Sequence, residues 1–334
     1  MPVFERNLRD ARRDNSAIGR AMTASSIRRM SATDWSILGV LSVLWGGSFF
    51  FLALALEGLP PFTIVLARVG FAALLLYLYM RIVGQRLPRG REIWLSFFVV
   101  AFFANALPFV MFAYGQQSIS SGLASILNAT TPLWGVLVAH FFTADERATP
   151  GKIVGVALGI AGVVVMTGSD ALDGLGGNLP GQAACIVATL AYAIAGVYSR
   201  RFKAMGITPL AVSTGQLAAA AVLVLPLSLV FEQPWSLAMP PTSAIWGMVG
   251  LVILSTTFAY VLFFRLIETA GATNTLLVTF LIPITAILLG VFALGETLLP
   301  KHVLGMALIA SGLAAIDGRP FGWLRTVASR TVVP

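Results

Sequence analysis

Charge is the scarcest commodity in this sequence. Asp, Glu, Lys and Arg make up only 11% of its 334 residues, against about 25% in a soluble domain. With 57% of the residues hydrophobic, too little polar surface remains to cover a soluble fold, and the chain reads as a polytopic membrane protein. Cysteine is nearly missing. Cys185 is the single one, so an intramolecular disulfide and a cysteine metal cluster are both excluded. The only histidines, His140 and His302, have no metal-ligand spacing. No Ser-His-Asp arrangement stands out. Ala148 to Ile153 has the outline of a phosphate loop, but Glu146 occupies the earlier glycine position and Ile153 replaces the hydroxyl residue. Neither enzyme chemistry nor a cofactor is expected. Acids are also missing from the middle of the apolar runs: Glu57, Glu268 and Glu296 fall at their ends. Proton relays usually need an intramembrane acid, so neither proton nor ATP coupling is supported.

What is present is apolar sequence in long runs. Ten segments approach the length a bilayer demands: 36–56, 62–81, 93–114, 122–142 and 153–168, then 179–198, 209–231, 244–266, 273–294 and 303–316. The fifth and tenth are short. Residues 1–34 hold seven Arg and four acids with no apolar core, which reads as a cytoplasmic tail rather than a cleaved signal peptide.

A pattern recurs in both halves. Pro132, Glu146, Pro150, Gly155 and Gly162 are followed later by Pro283, Glu296, Pro300, Gly305 and Gly312, with identical spacing from each glutamate onward. Such an internal repeat in a hydrophobic chain points to a secondary transporter. The net charge is +8, and its distribution argues for orientation rather than nucleic-acid binding. With the N-terminus inside, twenty of the 22 Lys and Arg fall on that side. Lys301 alone falls outside, and Arg68 lies within a helix. Five helices per repeat is an odd number, so the second copy enters the membrane opposite to the first. The fold expected is an all-α membrane protein: ten transmembrane helices, as two inverted-topology five-helix repeats around a central cavity. Its divisions are a basic N-terminal tail at 1–34, a first repeat at 35–168, a periplasmic linker at 169–178, a second repeat at 179–316 and a cytoplasmic tail at 317–334.

Several side chains are candidates for the cavity wall. Trp45 and Ser48 lie in the first run, Asn105 and Phe109 in the third, and Asn128 and Thr131 in the fourth. Tyr192 is in the sixth, Thr257 and Tyr260 in the eighth, Asn274 and Thr279 in the ninth. Each alone could be a helix–helix hydrogen bond; as a set they suit a pocket with aromatic walls and polar handles. Pro132 and Pro283 read as paired helix-interior kinks that act as hinges, freeing the carbonyls of Asn128 and Thr279. Arg68 sits about two turns into the second run, as Gln216 does in the seventh. Three roles stay open for it: a structural clamp, snorkelling toward Glu57, or contact with a substrate carboxylate. Gly151, Gly155 and Gly159 allow close helix contact, either in a dimer or against the tenth run.

These residues resemble the EamA-type ten-helix carriers of the drug/metabolite transporter superfamily. The resemblance is carried by Leu44-Trp45-Gly46-Gly47-Ser48-Phe49, by Pro61 to Ala67-Arg68, by Ser121 to Pro132, by Tyr192 to Ser199-Arg200-Arg201, and by the two proline–glutamate–glycine series. It covers about residues 35–316. It implies a basket-shaped bundle with a central cavity and both termini in the cytoplasm. Within the family, overall similarity points to the YddG type of bacterial exporters of aromatic and other neutral amino acids. The function expected is alternating-access export of neutral or aromatic amino acids, or similar small metabolites, across a bacterial inner membrane. The partners are then a small-molecule substrate and the bilayer, with a monomer expected and a dimer as the alternative. A drug or other metabolite exporter is the alternative within the superfamily; an integral membrane enzyme or receptor is the alternative outside it.

Overall fold

A computed structural model describes residues 30–142, 150–167, 178–270, 275 and 277–317. The described chain is helical from end to end. Helix α1 is Ala32–Leu56 and α2 is Pro61–Ile82. Next comes α3, Arg91–Ala101, which passes through a π-helical stretch at Phe102–Ala106 into α4, Leu107–Gly115. Helices α5 (Ser121–Asn128) and α6 (Thr131–Phe142) form one interrupted span, and α7 is Pro150–Thr167. Beyond these lie α8, Leu179–Ala204, and α9, Pro209–Leu227, which runs on as π helix at Ser228–Glu232. Helix α10 (Thr242–Val249) is joined to α11 (Ala259–Ala270) by π helix at Gly250–Phe258. Last come α12, Val278–Leu294, and α13, Pro300–Asp317.

By length and composition, seven of these helical runs can cross a membrane, and two shorter apolar helices lie at Pro150–Val165 and Leu281–Leu294. Between lipid-embedded helices the hydrophobic effect supplies little attraction, so close contact depends on small residues. Glycine marks the tightest crossings here. A Cβ at Gly162 would sit 2.7 Å from the Gly305 carbonyl oxygen, and one at Gly312 would sit 2.5 Å from that of Gly155. The recurrent glycines therefore pack α7 against α13 within one chain. In the same way Gly247 lies against Ala55 and Phe51, Gly46 against Ile282, and Gly115 against Gly181 and Cys185. Two apolar clusters fill the bundle. One surrounds α1, α5 and α12; the other surrounds α2, α3 and α9, where Phe97 stacks on Phe202 with centroids 5.4 Å apart.

The two ends of the bundle are tied differently. At the end where α1 starts, Ser31 and Asp34 form a capping box, and Asp34 Oδ1 accepts from Thr269 Oγ1 at 2.6 Å. Thr208 donates to Gln85 there at 2.8 Å. Arg81, Arg200, Arg201 and Lys203 lie at this same, basic end. At the opposite end three glutamates bind other helices. Helix α2 begins with prolines and has no local side-chain cap; Glu232 accepts instead from the Phe62 and Thr63 amides at 2.8 and 2.6 Å. Glu296 likewise accepts from the Ser121 and Gly122 amides at 2.6 and 2.9 Å. A carboxylate suits such orphaned N–H groups and the positive end of the helix dipole. Glu57 accepts from the Ser243 hydroxyl beside the start of α10.

Pro132 differs from expectation. It is the second residue of a new helix rather than an interior kink. The chain breaks at Ala129 and Thr130, where Thr130 and Thr131 hydroxyls donate to the Leu127 and Asn128 carbonyls, both at 2.7 Å. The carbonyl that proline frees is thus satisfied by a side chain. Pro283 does lie inside its helix.

Candidate functional site

A cavity of about 1000 Å³ occupies the middle of the bundle. Its wall runs from Leu52 and Ser255 to Arg200, Lys203 and Gly206, and these last three are exposed. The cavity therefore opens at the basic end. Beyond its other end lie the three glutamate ties.

Eight of the residues picked out in sequence line it: Trp45, Ser48, Phe109, Asn128, Thr131, Tyr192, Tyr260 and Thr279. Trp45 packs on Phe263 with ring centroids 5.1 Å apart, Tyr192 stacks on Phe112 at 6.1 Å and Tyr260 on Phe264 at 5.9 Å. These rings make the walls flat and apolar, the surface a planar ligand fits. Asn128 and Thr131 reach the wall on either side of the break at Ala129 and Thr130.

Two candidates stand behind the wall. Asn105 is completely buried and extends Nδ2 to the Tyr260 hydroxyl at 3.4 Å. Thr257 is half-buried, and its hydroxyl lacks a hydrogen-bond partner. Both lie in π-helical stretches, where the wider turn rotates side chains away from the faces a 3.6-residue period predicts. Asn274 and Glu146 lie outside the described residues.

Arg68 is the charge at the heart of the site. It is 8% exposed and lines the cavity. It does not snorkel to Glu57. Its Nε donates to Thr256 Oγ1 at 2.9 Å, and its Cζ lies 3.9 Å from the centre of the Phe109 ring. Thr256 is steady because its own hydroxyl donates to the Leu251 carbonyl at 2.7 Å, five residues back along the π helix. A cation–π contact in a dry site is worth about 2 kcal/mol, and a hydrogen bond to a charged group about 1.5–3 kcal/mol. Their sum is comparable to the roughly 2.5–3.5 kcal/mol that insertion scales assign to a mid-membrane arginine. These contacts can hold the guanidinium in place, yet they bring no negative charge.

Sequence reasoning left Thr256 and Ser255 out, since neither stands apart from the apolar run around it. It placed Gln216 only as the counterpart of Arg68. Gln216 lines the cavity and donates Nε2 to the Tyr260 hydroxyl at 3.3 Å. Arg200 and Lys203 at the mouth counted toward topology, and Arg200 toward the family resemblance, but neither was a cavity candidate. Among the described lining residues there are three cations and no Asp or Glu.

The family model described as the EamA-like transporter family matches the chain twice, over residues 34–168 and 179–316. An uncharacterized transporter of Bacillus subtilis, YoaV, is 26% identical over 83% of this chain and 94% of its own length. An uncharacterized inner membrane transporter of Escherichia coli, YedA, is 24% identical over 84% of this chain and 89% of its own. A probable terminal-alkyne amino-acid exporter of Streptantibioticus cattleyicolor is 25% identical over 90% and 98%. A solved crystal structure superposes with a TM-score of 0.60 at 21% identity, covering 86% of this chain and 96% of the other, a likeness of fold.

Proposed function

The chain belongs to the EamA-like transporter family, and we propose that it is an alternating-access carrier exporting neutral or aromatic amino acids, or similar small metabolites, across a bacterial inner membrane. It is a transporter and not an enzyme. One observation carries the reading: a central cavity with aromatic walls opens at the basic end, while glutamates bridge the two halves beyond its other end. That is the form of an inward-facing carrier, the basic end being cytoplasmic by the positive-inside rule. The outward-facing form requires the glutamates to release their helix ends and the basic end to close.

The helix pairings support ten helices in two inverted repeats. Numbering the ten spans in order, the first meets the eighth as the sixth meets the third, at Gly247 and at Gly115 with Gly181. The second meets the seventh, and the fifth meets the tenth. Exchanging each span for the one five places away maps these pairs onto one another, the relation an inverted repeat requires. The membrane assigned to YedA and the amino-acid cargo of the Streptantibioticus relative support the location and the substrate class. The absence of acids among the described lining residues favours facilitated exchange over proton coupling.

Within this reading Trp45, Tyr192 and Tyr260 receive the apolar part of the substrate. Asn128, Thr131, Thr279 and Ser48 supply polar contacts, and Pro283 is the hinge of the α12 span. The test is counterflow in liposomes holding the purified protein. Labelled phenylalanine, tyrosine, tryptophan, methionine or threonine should accumulate transiently against the same unlabelled amino acid inside, with no proton gradient. Movement of cationic dyes or sugar nucleotides alone, with amino acids inert, would overturn the proposal.

A further inference from the structure

We infer that Arg68 is the anchor for a carboxylate on the transported molecule, with the Ser255 hydroxyl, on the wall of the same cavity, as a second donor. The inference rests on the carrier reading above and names what the cavity selects.

Three observations converge. First, Arg68 offers five N–H donors, of which only Nε has a hydrogen-bond partner among the described residues. The other four belong to Nη1 and Nη2, whose planar fork matches a carboxylate. Second, Ser255 is 1% exposed and lies on the cavity wall, yet its Oγ has no hydrogen-bond partner. A buried hydroxyl left unpaired by protein in this way is costly unless water or a ligand meets it. Its neighbour in sequence, Thr256, is the residue that holds Arg68. Third, the described lining carries no acid to balance the arginine. A lining of this kind attracts a negative group to the arginine. It repels a lipophilic cation, and a single deep arginine cannot neutralise a diphosphate.

Phe109 and Thr256 are positioning residues in this scheme. The ring lies under the guanidinium, Thr256 engages Nε, and the terminal nitrogens are left for the ligand. An occupant with its carboxylate at Arg68 would place its side chain among Trp45, Tyr192 and Tyr260.

The experiment compares phenylalanine with phenylalaninamide, which keeps the ring and the amine and loses the negative charge. Binding to the purified protein is read as the ligand concentration giving half-maximal thermal stabilisation. Wild type should bind the acid roughly tenfold to hundredfold more tightly than the amide. Arg68→Gln should abolish that preference by weakening acid binding, without weakening amide binding. Arg68→Lys should restore part of it. Ser255→Ala removes a hydroxyl that supports no internal contact, so it should fold normally and reduce the preference several-fold. An Arg68→Gln protein that keeps the wild-type preference overturns the inference. So does an unchanged preference in Ser255→Ala if Arg68→Gln fails to fold. Wild type that carries phenylalanine in liposomes but binds acid and amide equally overturns the anchor and leaves the carrier standing. Wild type that neither binds nor moves either compound overturns the carrier reading, and the anchor with it.

Discussion

The two ends of the bundle are built on different chemistry. At the basic end the ties between the halves that flank the mouth include Thr208 to Gln85, a single exposed hydrogen bond between neutral groups. At the other end Glu232 and Glu296 each accept from two backbone amides of the opposite half. An exposed neutral pair contributes little net stability, whereas hydrogen bonds to charged groups run about 1.5–3 kcal/mol each. The closed end is thus held by carboxylates on backbone amides, whereas at the open end one carboxylate, Asp34, accepts from the Thr269 hydroxyl and the tie beside the mouth is neutral. Strong local contacts suit a seal that must be made and broken as a unit, because losing one carboxylate orphans two helix-end amides together.

The largest effect should come from removing that seal. In Glu232→Ala/Glu296→Ala, we expect a cysteine at Ser48 to react at least tenfold faster with a membrane-impermeant reagent applied from the carboxylate end, 1.4 kcal/mol being a factor of ten. Glu→Gln at both sites should give a smaller rise, since the amide oxygen still accepts. Unchanged reactivity would show that packing alone closes this end.

The prolines sharpen the comparison at the middle of the molecule. Pro283 interrupts a continuous helix, while Pro132 opens a new one after a break that Thr130 and Thr131 already stabilise. Pro283→Ala should therefore slow counterflow several-fold, through regained backbone pairing and a stiffer helix, and Pro132→Ala should slow it less. Equal slowing by both would restore the symmetric hinge. At the open mouth, Lys203→Gln should lower the initial uptake rate by no more than about twofold, since a zwitterion offers a dipole and no net charge to steer. The smallest effect belongs to Thr208→Ala, which should alter thermal stability by under about 0.5 kcal/mol.

Much of the architecture was legible in the chain. Apolar runs gave the helices, and the spaced glycines marked the α7–α13 contact, because only glycine lets backbones meet so closely. Aromatic and amide residues within the runs led to eight cavity positions. What escaped reading has two physical causes. The π-helical stretches at Phe102–Ala106 and Gly250–Phe258 shift the facing of residues within them. They put Asn105 and Thr257 behind the wall and Ser255 and Thr256 at the site. The second cause is range. Glu232 caps residues 170 and 169 positions away, and no local pattern in either segment announces its partner. Arg68 shows both: the residue was conspicuous as a charge in an apolar run, but its role depended on partners placed by a distant π helix.

The same ends supply a check on orientation. Cysteines at Met239 and Arg89, both exposed, should label from opposite faces of the membrane. Labelling from one face would remove the basis for calling the basic end cytoplasmic.

Alternation of a single cavity between the two ends is the central claim. Its most direct test is the accessibility of a cysteine at Ser48 in oriented vesicles, on a Cys185→Ala background, with and without phenylalanine. Without it, reaction should come from the basic end and hardly at all from the carboxylate end. With saturating phenylalanine on both sides, reaction from the carboxylate end should appear as reaction from the basic end falls. Equal reaction from both ends at once in the resting protein, unchanged by the amino acid, would describe an open pore and contradict the account.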